Sequence, residues 1–207
     1  MLWEMNSIIE LKWRFRSNAK LIIDILRYIG FEEKDRKELL DVIINDCDDK
    51  KYKHKVSTII CKLINKGLIK INEYKDSNKR HYLRLTDHGR WLLLCYILNV
   101  NPLQLAILAL LYNNYHRSVK NKARWIVPLV RKELESLLHF YNKEYLLKQI
   151  RKLCNMNLCT YAYDSNCIIL NDEAYGILNK FHNDILSLYR HIMQISDLNG
   201  EPYAYEI

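Results

Sequence analysis

The chain has 207 residues, 49% hydrophobic and 27% charged, with a formal net charge of +8 and a pI near 9.1. That length holds one large domain or two small ones, each option allowing a buried core, and the composition is that of an ordinary globular protein. Its five Gly and three Pro are scattered singly, which excludes a glycine-rich phosphate cradle and a disordered linker and leaves helices to dominate.

In the opening "MLWEMNSIIELKWRF", acids interrupt every apolar run, so no cleavable signal sequence is expected there. Six Cys without such a signal point to a reducing compartment, the cytoplasm. The "IIELKWRF" within that opening is amphipathic, and helical segments follow at about 19–28 and 34–45.

Basic charge then concentrates: residues 50–90 carry 12 Lys and Arg against 3 Asp and Glu. The run "KKYKHK", 50–55, reads as a solvated loop or, through Lys53 and Lys55, as a phosphate contact at the entry to the next helix. In "KVSTIICKLINKG" the helical period puts Val56, Ile60, Leu63 and Ile64 on one face and Thr58, Cys61, Lys62 and Asn65 on the other. Gly67 supplies a left-handed residue to end that helix. A hairpin is expected next: "LIKINEYKD" with Ile69 and Ile71 inward, the basic tip "SNKR", and "HYLRL" with Leu83 and Leu85 inward. Thr86 then caps a further helix, with Asp87 in its first turn.

The uncharged stretch "WLLLCYILNVNPLQLAILALLY", 91–112, is long enough to span a bilayer. Asn99, Asn101 and Pro102 would fall at its midpoint, so two core helices meeting head to tail are expected instead, Asn101 capping the second and Pro102 opening it. No membrane contact is expected. Further helices follow at about 102–115 and 128–138, with "RWIV" before Pro128 a candidate short strand.

"KLINKGLIKI", 62–71, then returns ninety residues later as "KLCNMNLCTY", 152–161. Leu146, Ile150, Leu153 and Cys154 take the places of Val56, Ile60, Leu63 and Ile64, and Asn157 that of Gly67 as the other residue type that tolerates a left-handed cap. Strands "LCTYAY" and "CIIL" follow around the turn "DSN", and Asn171 with Asp172 is expected to cap a final helix as Thr86 with Asp87 does. The last segment, 175–195, places Ile177, Leu178, Phe181, Ile185, Leu188, Tyr189 and Ile192 along one stripe.

Helix, helix, helix, hairpin, helix is the order of a winged helix, a helix-turn-helix whose third helix enters the major groove while the hairpin flanks it. The expected fold class is mainly α with small β-hairpin wings (α+β), as two tandem winged-helix domains: residues 1–99 with a leading helix, and 100–207 with a long C-terminal helix.

"VSTIICKLINKGLIKINEYKDSNKRHYLRLTDHGR" resembles the recognition helix and wing of MarR-type and PadR-type winged-helix transcriptional regulators, whose pattern has an apolar helix ending in "L..KGLI", a charged wing, then "L.LT..G". The match covers roughly 35 residues of the chain. The resemblance implies that Ser57, Thr58, Cys61 and Lys62 face the bases and that Lys79 and Arg80 sit at the wing tip on phosphates or in the minor groove. Those regulators carry one winged helix per chain plus dimerisation helices, whereas this chain carries two units in tandem.

The function expected is double-stranded DNA binding by a transcriptional regulator, with Lys75 joining Lys79 and Arg80 on the backbone and Lys148, Arg151 and Lys152 giving the second unit a basic face. A plasmid or viral replication initiator and a protein-interaction adaptor share the fold and stay open. Homodimerisation through the C-terminal or N-terminal helix is a further expectation. Cys154 and Cys159 stand at core positions of the repeat, so no metal site is expected, and no catalytic residues or cofactor are expected either.

Overall fold

The computed structural model describes residues 18–44, 50–73 and 81–198. It is mainly helical with two small three-stranded antiparallel sheets. The chain divides into two compact units, Met1–Pro102 and Leu103–Ile207.

In the first unit α1 (Ala19–Ile29) precedes a two-residue strand β1 (Lys34–Asp35), then α2 (Arg36–Ile44) and α3 (Lys50–Asn65). The hairpin β2 (Ile69–Glu73) and β3 (His81–Leu85) follows, and α4 (Asp87–Ile97) completes the unit. The sheet order is β1-β3-β2, Lys34 opposing Leu83 and Ile69 opposing Leu85. α1 ends at Gly30, which takes φ 59 and returns its N–H to the Leu26 carbonyl at 2.9 Å. Asp35 caps α2, its carboxylate accepting from the Lys37 N–H at 2.7 Å. Ile25, Leu26, Ile29, Leu39, Val56, Ile60, Leu63, Leu83 and Leu85 close one core between the three helices and the sheet. Each such fully buried side chain contributes about 1.5–3 kcal/mol over its exposed state.

The second unit repeats the order with α5 (Pro102–Lys120), β4 (Leu129–Val130), α6 (Arg131–Leu137), α7 (Lys143–Asn155), β5 (Cys159–Ala162), β6 (Cys167–Leu170), α8 (Asp172–Asn179) and α9 (His182–Leu198). Its sheet order is β4-β6-β5, matching the first. α5 is buried nearly all round from Leu103 to Asn113. Among the described residues, no single helix is long and apolar enough to cross a membrane.

Several elements differ from the sequence expectation, each for a local reason. The expected helix at 34–45 begins only at Arg36, because Lys34 and Asp35 are recruited as a third strand by β3. The short strand of the second unit falls after Pro128, at Leu129–Val130, and not on "RWIV". The run at 50–55 is helix and not loop: Tyr52 packs against the core one turn before Val56, which extends α3 towards its N-terminus. Ile71 is 36% exposed although Ile69 on the same strand face is buried, since it lies two residues nearer the hairpin tip. The C-terminal stripe is not one helix. Lys180 and Phe181 turn back to Ile177 and Leu178 by i to i−3 bonds, separating α8 from α9. Leu178, Ile185, Leu188 and Ile192 along it are buried, and α9 packs on α6.

Candidate nucleic-acid interface

The corner between the third helix and its hairpin is built the same way in both units. Gly67 has φ 67 and Asn157 φ 57. The Gly67 N–H donates to the Ile64 carbonyl at 2.8 Å and that of Leu68 to Leu63 at 2.9 Å; Asn157 donates to Cys154 at 2.9 Å and Leu158 to Leu153 at 3.0 Å. These paired bonds are the Schellman arrangement, and they aim each helix and its hairpin along a defined path.

The next helix is tied to that corner. The Thr86 hydroxyl donates to the Gly67 carbonyl at 2.5 Å and accepts from the Gly89 N–H at 3.2 Å, so one side chain both braces the turn and caps α4. Gly89 sits so close beneath the corner that a Cβ there would lie 2.1 Å from the Leu68 carbonyl oxygen. In the second unit Asn171 donates from its amide nitrogen to the Asn157 carbonyl at 3.0 Å, yet makes no side-chain cap. Its carboxamide oxygen instead accepts from the Thr160 hydroxyl at 2.8 Å, which corrects the expectation that Asn171 caps as Thr86 does.

With its apolar side held in the core, α3 turns outward a face that carries Lys53, His54, Lys55, Cys61, Lys62, Asn65 and Lys66, all exposed. Ser57 and Thr58 are half-buried. Ser57 Oγ accepts from Arg36 Nη2 at 3.4 Å, and the Thr58 hydroxyl donates to the His54 carbonyl at 2.8 Å. Thr58 therefore offers an acceptor lone pair and a methyl group, its hydroxyl proton being engaged. Lys70 and Arg84 add exposed cations along the hairpin. Lys75, Lys79 and Arg80, expected on the wing, lie outside the described residues.

On α7 the exposed residues are Tyr145, Lys148, Arg151, Lys152 and Asn155, opposite buried Leu146, Gln149, Ile150 and Leu153. Nearby cations are already engaged: Arg131 Nε meets Glu135 at 2.6 Å, and Lys143 reaches the same carboxylate at 3.5 Å. The Glu135 carboxylate and the Tyr161 hydroxyl hold the Arg131 guanidinium in its charged form. The hairpin turn of this unit is set by Asn166 at φ 51, whose carboxamide accepts from the Tyr161 hydroxyl at 2.9 Å, and it exposes Tyr163 and Asp164.

Cys159 is buried and Cys154 half-buried, their sulfurs 3.5 Å apart. Burial and the neighbouring Cys154 push the Cys159 thiol well above the usual range. Among the described residues no group of three His, Cys, Asp or Glu converges that could hold a metal ion. His81 and Arg84 stand three apart on β3, on opposite faces of the strand, so they do not converge on one site.

One cluster was not expected from the sequence. Tyr112 and His116 of α5 meet Tyr175 of α8 and His182 of α9. The Tyr112 hydroxyl donates to Asn179 Oδ1 at 2.7 Å and lies 2.8 Å from His182 Nδ1; Tyr175 Oη lies 3.1 Å from His116 Nδ1. Tyr115 donates to Asp172 at 2.6 Å and stacks on Tyr175 with centroids 4.4 Å apart. Burial, then Tyr175, raises the Tyr112 hydroxyl to about 12; the Asp172 hydrogen bond, then burial, does the same for Tyr115. Burial, then His182 and Lys120, lowers His116. The i, i+3, i+4 spacing of Tyr112, Tyr115 and His116 marks one helix face; that it faces Tyr175 is a tertiary fact.

Compared with known families, with curated proteins and with solved structures, the chain matches none.

Proposed function

We propose that the chain is a tandem winged-helix protein that binds double-stranded DNA and regulates transcription. The observation that carries this reading is the third helix of each unit: its apolar side is held in the core by the same corner, and its outward side carries Lys53, Lys55, Cys61 and Lys62 in α3 and Lys148, Arg151 and Lys152 in α7. A helix of this width and charge suits the major groove, where lysines meet phosphates and guanine edges, and the half-buried Ser57 and Thr58 approach the bases. In this reading α3 lies in a major groove and Lys75, Lys79 and Arg80 of the wing hold the adjacent backbone. α7 extends the footprint, and an occupied promoter blocks or recruits polymerase.

Binding of a labelled AT-rich duplex, followed by fluorescence anisotropy at two salt concentrations, tests this. Affinity falls on the order of 10³-fold or more between roughly 50 and 200 mM salt when several phosphates are neutralised. No binding at the lower salt would overturn the proposal.

A specific observation favours a second reading for the second unit alone. Its hairpin turn exposes Tyr163 and Asp164 and carries no Lys or Arg. A carboxylate there repels phosphate, so this turn suits a protein partner, with the second unit acting as an adaptor. If Asp164→Lys raises duplex affinity several-fold, the turn lies near the backbone and the adaptor reading of this unit fails.

A further inference from the structure

The loop between α5 and β4 has no part in the duplex reading, yet it carries a tryptophan that lies mostly in solvent. Trp125 is 74% exposed, with Val127 two residues on at 57% and Val119 in the last turn of α5 at 48%. Arg117, Lys120, Lys122 and Arg124 are exposed around them, and no acid occurs from 117 to 132. A tryptophan in such a position is unusual, because burying its indole is worth more than burying almost any other side chain.

The loop is held in shape. Lys122 at φ 50 closes α5 through bonds from Lys122 to the Val119 carbonyl at 3.1 Å and from Ala123 to Ser118 at 2.9 Å. The Ser118 hydroxyl, itself bonded to the Asn114 carbonyl at 3.0 Å, accepts from the Val127 N–H at 3.0 Å. Residues 123–126 are thus presented from a fixed base. The Arg124 guanidinium lies over the Trp125 ring, 5.4 Å from its centroid, so one indole face is taken by a cation and the exposure belongs to the rest of the ring.

The loop is also set apart from the hairpin turn. Val130 pairs with Cys167 and Leu129 with Ile168, so β4 runs towards that turn and the residues upstream of it stand at the other end of the sheet.

We infer that this loop is a binding site for single-stranded nucleic acid. A base stacks on the open face of Trp125, Arg124 backing the other face, while Arg117, Lys120 and Lys122 meet the flanking phosphates. The matched ligand is one that brings flat apolar faces and negative charge in alternation along a flexible chain. Duplex DNA keeps its base faces covered and does not offer this. The inference rests on the chemistry of the loop and stands apart from the duplex reading.

The test uses the full chain and a labelled oligothymidylate of about ten nucleotides, a length in the range that single-strand binding modules cover. Anisotropy reports binding, and the part of the intrinsic-fluorescence quenching that is lost in Trp125→Ala, among the four Trp of the chain, reports Trp125. Trp125→Ala is expected to abolish the quenching component and weaken binding about tenfold or more, and Lys120→Glu with Lys122→Glu to remove binding. Lys62→Ala leaves oligothymidylate binding at the wild-type level while weakening duplex binding, and Trp125→Ala does the reverse, so failure of one reading shows separately from failure of the other. If Trp125→Ala binds oligothymidylate as wild type does, the site is overturned. If poly-L-glutamate quenches Trp125 while oligothymidylate does not, the loop belongs to an acidic protein partner and the inference also falls.

Discussion

The Thr86 hydroxyl donates to the carbonyl of Gly67, nineteen residues back along the chain, at 2.5 Å. That bond joins the end of the third helix to the start of α4, and the same oxygen caps α4 at Gly89. Thr86→Ala removes both bonds and is expected to destabilise the first unit by about 1 kcal/mol, within the range for a missing N-cap, whereas Thr86→Ser keeps them. Urea denaturation followed by circular dichroism measures the difference. Equal destabilisation in both variants would show that the methyl group, not the hydroxyl, matters.

Gly89 makes a sharper test of the same corner. An added methyl would meet the Leu68 carbonyl, a backbone atom that cannot swing aside. Gly89→Ala should therefore cost about 1–3 kcal/mol, the usual scale of overpacking. The structurally corresponding residue of the second unit is already Ala174, buried, so this requirement is particular to the first unit. The "LT..G" spacing that carries the family resemblance thus has a steric cause here. A denaturation midpoint equal to wild type would mean that the corner relaxes.

Gly67 and Asn157 share the left-handed region but not its cost. Glycine occupies it freely, whereas an L-residue there gives up roughly 1–2 kcal/mol, which Asn offsets in part by local hydrogen bonding. Asn157 is held instead by a partner fourteen residues on: its carboxamide oxygen accepts from the Asn171 amide at 3.1 Å while its backbone carbonyl accepts from the same nitrogen at 3.0 Å.

Those two positions were legible in the sequence because a left-handed cap leaves a residue-type signature and a hairpin leaves a period. β1 was not legible and β4 was expected a few residues too early, since two residues hold no period; they exist because β3 and β6 have free edges that pair with Lys34–Asp35 and Leu129–Val130. The break at Lys180–Phe181 was hidden for the opposite reason. Ile177, Leu178, Phe181 and Ile185 keep the helical period across it, with neither Gly nor Pro at the turn. Of the candidate interface, the exposed face of α3 could be read from spacing, but the engagement of Thr58 by His54 and of Ser57 by Arg36 could not, because each depends on where side chains come to rest.

His116 predicts how the second unit responds to acid. Burial, with His182 at 4.7 Å and Lys120 nearby, holds its pKa below the ordinary value, so the unfolded chain binds the proton more readily than the folded one. Stability therefore increases with pH through this range: it is fully present above about 6.5 and is lost as the pH falls below it. Thermal melting between roughly pH 8 and pH 5 should show the decline, and His116→Gln should flatten it. Asp172, bonded to Tyr115, is the acid facing this cluster.

If α3 enters a major groove as proposed, salt dependence separates its phosphate contacts from its base contacts. Replacing Lys53 and Lys55 by Ala should weaken duplex binding of every sequence alike and reduce the slope of log affinity against log salt by about 1 for each phosphate no longer neutralised. Lys79 and Arg80 of the wing should behave the same way. Lys62→Ala, in the last turn of α3, should also change which duplexes are preferred, read by competition between labelled and unlabelled sites. Uniform weakening by Lys62→Ala would move it to the phosphate group.

Cys61 gives a footprint that needs no mutation. It is exposed on the outward face of α3 and Cys95 and Cys159 are buried, with the Cys159 thiol pushed up further by burial. Thiolate and access together set alkylation rates, so among the described cysteines iodoacetamide should modify Cys61 first and Cys159 only on unfolding. If α3 occupies a major groove, a saturating duplex covers Cys61 and slows its alkylation while leaving partly exposed Cys167 at the rate of the free protein. Mass spectrometry of the digested chain gives both rates in one experiment. Equal slowing of the two would indicate a general salt or crowding effect of the duplex, and an unchanged Cys61 rate under saturating duplex would place the DNA on another surface.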